Sequence, residues 1–375
     1  MSLGIAGMGW VTPLGSDVGD VWKRLLNGDT ATAGSIESPL GRAYPVYPVP
    51  AEATAKAPAH PRLRRSSAIS RFAVVAGLAA LEDAGLKLDE ETAARTALIF
   101  AVSNGGVIYT KKFYHEIVES GAKAASPLLF AETVFNAPAS HLAAILGIAG
   151  ASYTLVGDGA VGILALKMAE DLMESETLDR CLVVGAEEAD WLLCDAYRKW
   201  RLLRSAPPIE PFGQPPRGMI LSEGAGAVLL SRTGAVQIEK IAAGTNFRKQ
   251  SEARDCVRKV FSELCQPETD LVLASANGTF IDEAERAAVM GYCPSAKVYA
   301  MKRALGESVG ASSLWQTIGA AQSLRTQRVP QDLPLTLEDG AGVSTEPKHK
   351  GQFRRAVVSV CGLNQQVAGL RLALN

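Results

Sequence analysis

The sequence has few of the residue patterns that build metal or nucleic-acid sites. Its four histidines cluster neither with each other nor with the six cysteines, and it contains no Cys-x-x-Cys pair. We therefore expect no metal centre, no disulfide framework and no bound cofactor. The 38 lysines and arginines nearly balance the 39 aspartates and glutamates. This balance argues against a nucleic-acid partner, because such proteins usually have a basic bias.

Long apolar runs are also missing. No segment approaches the roughly 18 apolar residues of a membrane-spanning helix. The opening MSLGIAGMGWVTPLG lacks the basic start of a secretory signal. Scattered cysteines suit a reducing compartment, so the sequence predicts a cytoplasmic protein with no membrane partner.

Hydrophobic residues make up 47% of the 375 residues, which is enough for a large buried core. Short apolar runs typical of buried strands alternate with segments of helical periodicity. One helix is predicted to begin at Ser16 as its N-cap. Residues 43–63, rich in Pro and Ala, predict an extended loop, and residues 328–351 predict a polar loop.

A second set of strands and helices begins near Ala235. The simplest organisation is therefore an α/β protein with two halves, residues 1–232 and 233–375.

The stretch TLVGDGAVGILALK, from Thr154 to Lys167, predicts a strand that enters a helix through a glycine turn. Enzymes often mount a catalytic nucleophile at such a turn. Here the turn contains Asp158, Gly159 and Ala160, with neither Ser nor Cys. The sequence thus provides the platform for a nucleophile without the nucleophile.

Segments along nearly the whole chain resemble one family, the β-ketoacyl-acyl-carrier-protein synthases of the thiolase superfamily. The matching segments are GMGWVTPLGSDVGDVWKRLLNG, FAVVAGLAALEDAGL, SPLLFAETVFNAPASHLAAILGIAGAS, CLVVGAEEA and EPFGQPPRGMILSEGAGAVLL. The resemblance implies a thiolase-like fold, with two similar α/β halves in a layered αβαβα arrangement.

The family's chemistry uses a Cys that takes the acyl chain and two His that stabilise the enolate. At the matching positions this chain has Gly159 for the Cys, Asn277 for the first His and Glu307 for the second. The family's Lys is kept as Lys302. With all three catalytic side chains replaced, the resemblance does not imply condensing activity.

The polar residues at these positions also have structural interpretations. Asp158 is expected to be a helix N-cap or a partner of the helix dipole rather than a nucleophile. Glu307 and Lys302 are expected to form a salt bridge that fills an abandoned site. Buried cysteines are expected to be small apolar core residues rather than substitute nucleophiles: Cys194, Cys293 and Cys361.

Three functions are compatible with this pattern. The first is a non-catalytic partner of an active ketosynthase, of the chain-length-factor type, in fatty acid, polyene or polyketide synthesis. Such partners commonly carry Gln in place of the Cys, and Gly159 departs from that. The second is a homodimeric protein that binds acyl chains or acyl carrier protein. The third is an altered thioesterase or decarboxylase that uses Asp158, Asn277 or Glu307.

Two further groups of residues follow from the resemblance. The end of the acyl tunnel, at the subunit interface, corresponds to a segment with four candidates for setting product length: Asn104, Ile108, Tyr109 and Phe113. Cations that the family presents to an acidic acyl carrier protein correspond to a basic run at a helix entry, which could also be a solvated surface: Arg62, Arg64, Arg65 and Arg71.

Overall fold

The structure is a computed structural model that describes residues 3–64, 66–330 and 352–375. Within these ranges the strands are β1 (Leu3–Val11), β2 (Gly34–Glu37), β3 (Ala43–Tyr47), β4 (Thr96–Val102), β5 (Ser152–Val156), β6 (Arg180–Glu187), β7 (Leu221–Ser222), β8 (Gly224–Ser231), β9 (Val236–Asn246), β10 (Leu271–Leu273), β11 (Lys297–Tyr299), β12 (Arg355–Cys361) and β13 (Gln366–Leu374).

The α-helices in the same ranges are α1 (Val18–Leu26), α2 (Ala68–Asp83), α3 (Glu90–Ala94), α4 (Val107–Ser120), α5 (Pro127–Phe130), α6 (Ala137–Leu146), α7 (Val161–Leu172), α8 (Trp191–Lys199), α9 (Ala253–Leu264), α10 (Ile281–Tyr292), α11 (Lys302–Leu305) and α12 (Ser312–Thr326).

Ten strands form one sheet in the order β11-β10-β12-β13-β9-β1-β8-β6-β4-β5. Each half of this sheet repeats the same strand order. Counted from the centre of the sheet outward, the five strands of a half are its first strand in sequence, then its fifth, fourth, second and third. The three strands at each outer end are parallel, and the remaining pairs are antiparallel. The two halves join where Leu3–Ile5 pairs with Val236–Ile238.

The helices form layers around the two halves of the sheet. α7 and α12 lie in the middle, where both contact strands of each half. α2 and α6 cover the outside of the N-terminal half, whereas α9 covers that of the C-terminal half and packs against α10. The layered αβαβα arrangement predicted from the sequence is therefore confirmed. The proposed boundary after residue 232 falls between β8 and β9, but the independence of the two parts stays a prediction.

Two local predictions were wrong. α1 begins after Asp17, whose side chain accepts from the Asp20 N–H at 2.9 Å, rather than after Ser16. Residues 43–63 are not simply an extended loop, because they include β3 and two short 3-10 turns. β3 is stabilised by tertiary pairing with β2 and β7. Of the predicted polar loop, residues 331–351 lie outside the described residues.

α2 packs against β1 so closely that the strand needs glycine at two positions. A Cβ added at Gly9 would lie 2.1 Å from the Ala76 carbonyl oxygen, and one at Gly7 would lie 2.0 Å from that of Ala80. Both obstacles are backbone atoms of the helix, so neither can rotate away. The fold therefore depends on the bare strand backbone at this contact.

We expect Gly9→Ala to lower the free energy of unfolding by about 3 kcal/mol, because α2 must move away from β1 to admit the methyl group. Gly291→Ala is the matched control, since Gly291 is exposed and has open space where a Cβ would lie. That control should be neutral or slightly stabilising. Urea denaturation followed by circular dichroism measures both. Equal stability of the two variants would contradict the packing described.

Candidate functional site

The predicted nucleophile platform is present as the turn between β5 and α7. Gly159 is buried in this turn, and a Cβ there would meet only the Cα of Gly362, at 3.3 Å. Because a shift of a few tenths of an ångström would make room, the surrounding packing does not force glycine at this position. The missing side chain is thus a property of the sequence rather than a steric requirement of the fold.

Asp158 is not the N-cap of α7, so the N-cap prediction was wrong. α7 begins without a side-chain cap. The Asp158 carboxylate instead accepts from the backbone N–H groups of Leu363 (3.1 Å), Asn364 (2.8 Å) and Gln365 (3.1 Å). In return, the Asp158 N–H donates to Gln366 Oε1 at 3.1 Å. The carboxylate therefore ties the turn after β12 to the platform and is occupied by structural hydrogen bonds.

Lys302 and Glu307 form the buried salt bridge that the sequence predicts. Lys302 Nζ lies 2.7 Å from Glu307 Oε2, and the side chains are 3% and 2% exposed. Asn277 Nδ2 donates to the same oxygen at 2.7 Å. Two of the three family catalytic positions are therefore in direct contact, and their side chains satisfy each other.

The loop that carries Asn277 is held by a second buried carboxylate. Asp282 accepts from the N–H groups of Asn277 (2.8 Å), Gly278 (3.0 Å) and Phe212 (2.5 Å). Burial raises the pKa of Asp282 to about 6, although these hydrogen bonds oppose the shift. Thr279 Oγ1 donates to Asn277 Oδ1 at 2.6 Å. Both ends of the Asn277 amide are thereby engaged, which fixes its orientation toward Glu307.

A chain of contacts links this network to the platform. Ser275 Oγ accepts from Lys302 Nζ at 3.3 Å and from the Cys361 N–H at 3.1 Å. Cys361 precedes Gly362, whose Cα lies beside Gly159. The structure therefore brings together the three family positions, which belong to separate segments of the sequence.

A small cavity lies next to Glu307. It is a cavity of about 10 Å³, with Asn104, Glu187 and Tyr197 in its lining, which is room for about one water. Glu187 Oε2 accepts from the N–H groups of Ser103 and Asn104, both at 3.1 Å. Burial raises the pKa of Glu187 to about 7. The described chain thus has a polar, nearly filled core at this position.

Only one of the four tunnel candidates reaches that cavity. Asn104 lies in its lining, whereas Ile108, Tyr109 and Phe113 are half-buried on α4. The Phe113 ring packs against that of Phe130, with the ring centroids 5.5 Å apart. These three side chains therefore lie near the surface of the described chain, and a role in product length stays a prediction.

The predicted basic run lies on the surface. Arg62, Arg64 and Arg71 are exposed around the start of α2, and Arg65 lies outside the described residues. A second exposed cationic group lies at the end of α8 and was not predicted from the sequence. It consists of Arg198, Lys199 and Arg201 around Trp200, whose side chain is 54% exposed. The run YRKWR was the signal that could have revealed it.

Exposed apolar side chains concentrate in one part of the chain. Of the thirteen large hydrophobic side chains exposed in the described residues, eight fall between residues 114 and 156. We call this set of eight exposed residues the β5 face: Tyr114, Val118, Leu128, Phe130, Val134, Phe135, Tyr153 and Val156. It includes β5, the edge strand of the ten-stranded sheet. The β5 face was not predicted from the sequence, because apolar residues at these positions have the same pattern as core residues.

The cysteines proposed as core residues are buried. Burial raises the pKa of Cys194 to about 12 and that of Cys361 well above its usual value, so neither favours a reactive thiolate. Among the described residues, no group of three or more His, Cys, Asp or Glu is placed to hold a metal ion. In the same part of the chain, no helix is both long and apolar enough to span a bilayer.

Comparisons with known proteins agree with this architecture. The model of the family "Beta-ketoacyl synthase, N-terminal domain" matches residues 2–235. A 3-oxoacyl-[acyl-carrier-protein] synthase 2 from Vibrio cholerae is 23% identical, over 92% of this chain and 91% of its own length.

Two solved structures are similar over the entire chain. The ishigamide ketosynthase/chain length factor aligns with a TM-score of 0.85 and 19% identity, covering 100% of this chain and 99% of its own. A ketosynthase in complex with its chain length factor from Xenorhabdus doucetiae aligns with a TM-score of 0.79 and 16% identity, covering 100% and 98%. At these identities the structural likeness establishes the fold.

We expect Lys302→Met to lower the free energy of unfolding by about 3 kcal/mol, because Glu307 would be left as a buried, unpaired charge. The double variant Lys302→Met/Glu307→Gln should recover most of that loss, since the new amide carries no charge and keeps an acceptor for Asn277. Urea denaturation of the single and double variants measures the coupling. Lys23→Met is the surface control, because the Lys23–Asp20 pair is largely exposed, and it should change little. If the losses of stability from the two single substitutions added up to that of the double variant, the result would contradict a buried ion pair.

Proposed function

Because the chain belongs to the β-ketoacyl synthase family, we propose that it is a non-catalytic ketosynthase-like subunit of the chain-length-factor type. It pairs with an active β-ketoacyl synthase in the cytoplasm and takes part in fatty acid, polyene or polyketide synthesis. The observation that carries the proposal is the buried contact of Lys302, Glu307 and Asn277 in place of an open catalytic site.

Three chemical features of the site support the absence of condensation. Gly159 has no side chain to acylate. Asn277 is held between Thr279 and Glu307, so its amide is not free to bind a thioester carbonyl. Glu307 is a carboxylate where an enolate would need stabilisation, and like charges within a few ångströms repel each other strongly in a buried site.

The β5 face supports a partner subunit. An edge strand has unpaired N–H and C=O groups that favour pairing with another chain. Here it is combined with eight exposed apolar side chains, a pattern typical of an interface. The family resemblance implies pairing through the N-terminal half, which contains this face. Two structural neighbours, a ketosynthase/chain length factor and a ketosynthase in complex with its chain length factor, fit the same proposal.

The two alternatives receive less support. A homodimeric protein that binds an acyl chain at this position needs an open pocket there, and an altered thioesterase or decarboxylase needs space for a thioester beside its carboxylate. The cavity next to Glu307 holds about one water. Asp158 and Asp282 are occupied by backbone N–H groups. Exposed Arg62, Arg64 and Arg71 remain our proposed docking surface for an acyl carrier protein, through complementary charge.

Co-expression with catalytically intact ketosynthases, beginning with any encoded beside this gene, tests the pairing. With the affinity tag on this chain only, we expect a one-to-one heterodimer. Leu128→Asp should weaken the pairing at least tenfold, because it places a charge within the β5 face. Leu40→Asp is the matched control, since Leu40 is 70% exposed and Leu128 is 64% exposed. A stable homodimer that ignores every ketosynthase offered would reject the proposal.

A second experiment tests whether the chain influences product length. In the reconstituted heterodimer supplied with malonyl-acyl carrier protein, we expect Phe113→Ala to lengthen the product, because removal of the ring enlarges the space at the subunit interface. His115→Ala, an exposed change on the same helix, should leave product length and pairing unchanged. Mass spectrometry of the released acyl chains gives the distribution. An unchanged distribution for Phe113→Ala in an intact heterodimer would remove this residue from the length-setting role.

A further inference from the structure

Two cysteines far apart in sequence lie side by side in the C-terminal half. Cys265 Sγ and Cys293 Sγ are 3.2 Å apart. Cys265 directly follows α9 and Cys293 directly follows α10, and these helices pack against each other. Cys293 is 5% exposed, whereas Cys265 is half-buried and reachable from solvent. One thiol of the pair is therefore accessible and the other is held behind it.

We propose that Cys265 and Cys293 form a thiol-oxidation site, which closes to an intramolecular disulfide when the protein meets a small-molecule disulfide such as oxidised glutathione. The Cys265 thiolate attacks one sulfur of the oxidant, forms a mixed disulfide and releases one reduced thiol. Cys293 then loses its proton, attacks the Cys265 sulfur and releases the second thiol. In total, two protein thiols lose two electrons and two protons, and these convert the oxidant into two thiols.

The surroundings of the pair favour a disulfide between Cys265 and Cys293 over zinc binding and over a disulfide with another cysteine. The hydrogen bond to Cys265, together with burial, raises the pKa of Cys293, so Cys265 is the first thiol to react. A structural zinc site would need four ligands, and no His, Asp or further Cys among the described residues completes such a group around the pair. Cys194 and Cys361 are fully buried, and Cys256 has no thiol neighbour in the described hydrogen-bond network.

The disulfide would enclose the segment that holds the Asn277 loop. The covalent ring would run from Cys265 through β10, Asn277 and Asp282 and along the whole of α10 to Cys293. A cross-link of this kind stabilises mainly by restricting the unfolded chain. Oxidation would therefore strengthen the attachment of the segment that positions the buried network around Glu307.

Neither cysteine of the pair belongs to the β5 face. Cys265 leads into β10 and Cys293 leads toward β11, and these two strands lie at one end of the ten-stranded sheet. β5 lies at the opposite end. The inference is consequently independent of the proposed pairing and applies to the chain alone.

The folded, fully reduced chain is incubated with oxidised glutathione, quenched with an alkylating agent and mapped by mass spectrometry. We expect a species that is two hydrogen atoms lighter, with one cross-link between the peptides that contain Cys265 and Cys293. The thermal midpoint should rise by about 5 °C, because the ring restricts the unfolded chain. Reduction with dithiothreitol should reverse both changes.

Serine variants identify the pair and provide the control. Cys265→Ser and Cys293→Ser should each abolish the cross-link and the rise in thermal midpoint, whereas Cys256→Ser, a half-buried cysteine on α9, should retain both. Mapping of the unmodified chain makes the test independent of how the variants fold. Three results would overturn the proposal. The first is a glutathione adduct on Cys265 that is not converted into the disulfide, and the second is a cross-link to a different cysteine. The third is a folded chain that does not react under conditions in which the urea-unfolded chain is fully oxidised.

Discussion

The buried contact between Lys302 and Glu307 is the interaction on which the interpretation of this molecule depends. A lone ammonium group enclosed at 3% exposure would carry a large desolvation cost, and the adjacent carboxylate compensates for it. Asn277 and Ser275 supply the remaining polar contacts. Where the family has groups that stabilise charge on a substrate, this chain has groups that neutralise each other. The site is consequently part of the protein core.

The hydrogen bonds of Asp158 give a second connection between the halves of the fold. Its carboxylate lies in the N-terminal half and accepts from the backbone turn between β12 and β13 in the C-terminal half. A Cβ at Gly362 would lie only 2.0 Å from Asp158 Oδ2, so the close approach needs glycine in that turn. The turn between β5 and α7 thus has a structural role in joining the two halves of the fold.

The two ends of the ten-stranded sheet have different surfaces. At one end β5 has two exposed apolar side chains, Tyr153 and Val156, as an interface with another protein would require. At the other end β10 and β11 are preceded by the helices that carry the cysteine pair. The edge strand β5 and the cysteine pair therefore belong to different halves of the fold.

The sequence by itself was sufficient for the fold class and the strand–turn–helix platform, and it is the basis for the proposed loss of the three catalytic side chains. These features depend on local periodicity and on motifs whose residues are close together in the chain. The salt bridge between Lys302 and Glu307 was also predictable, because the two residues are only a few positions apart and opposite in charge.

Only the tertiary structure decided the features that depend on contacts between distant segments. Asp158 is a good N-cap by residue type, yet its carboxylate reaches the turn after β12, which competes successfully for its oxygens. Cys265 and Cys293 form no Cys-x-x-Cys motif, so no sequence pattern indicated that they are in contact. The packing of α9 on α10 places them side by side. The β5 face likewise became visible only from exposure, since an apolar residue in a sequence pattern is the same whether it faces the core or a partner.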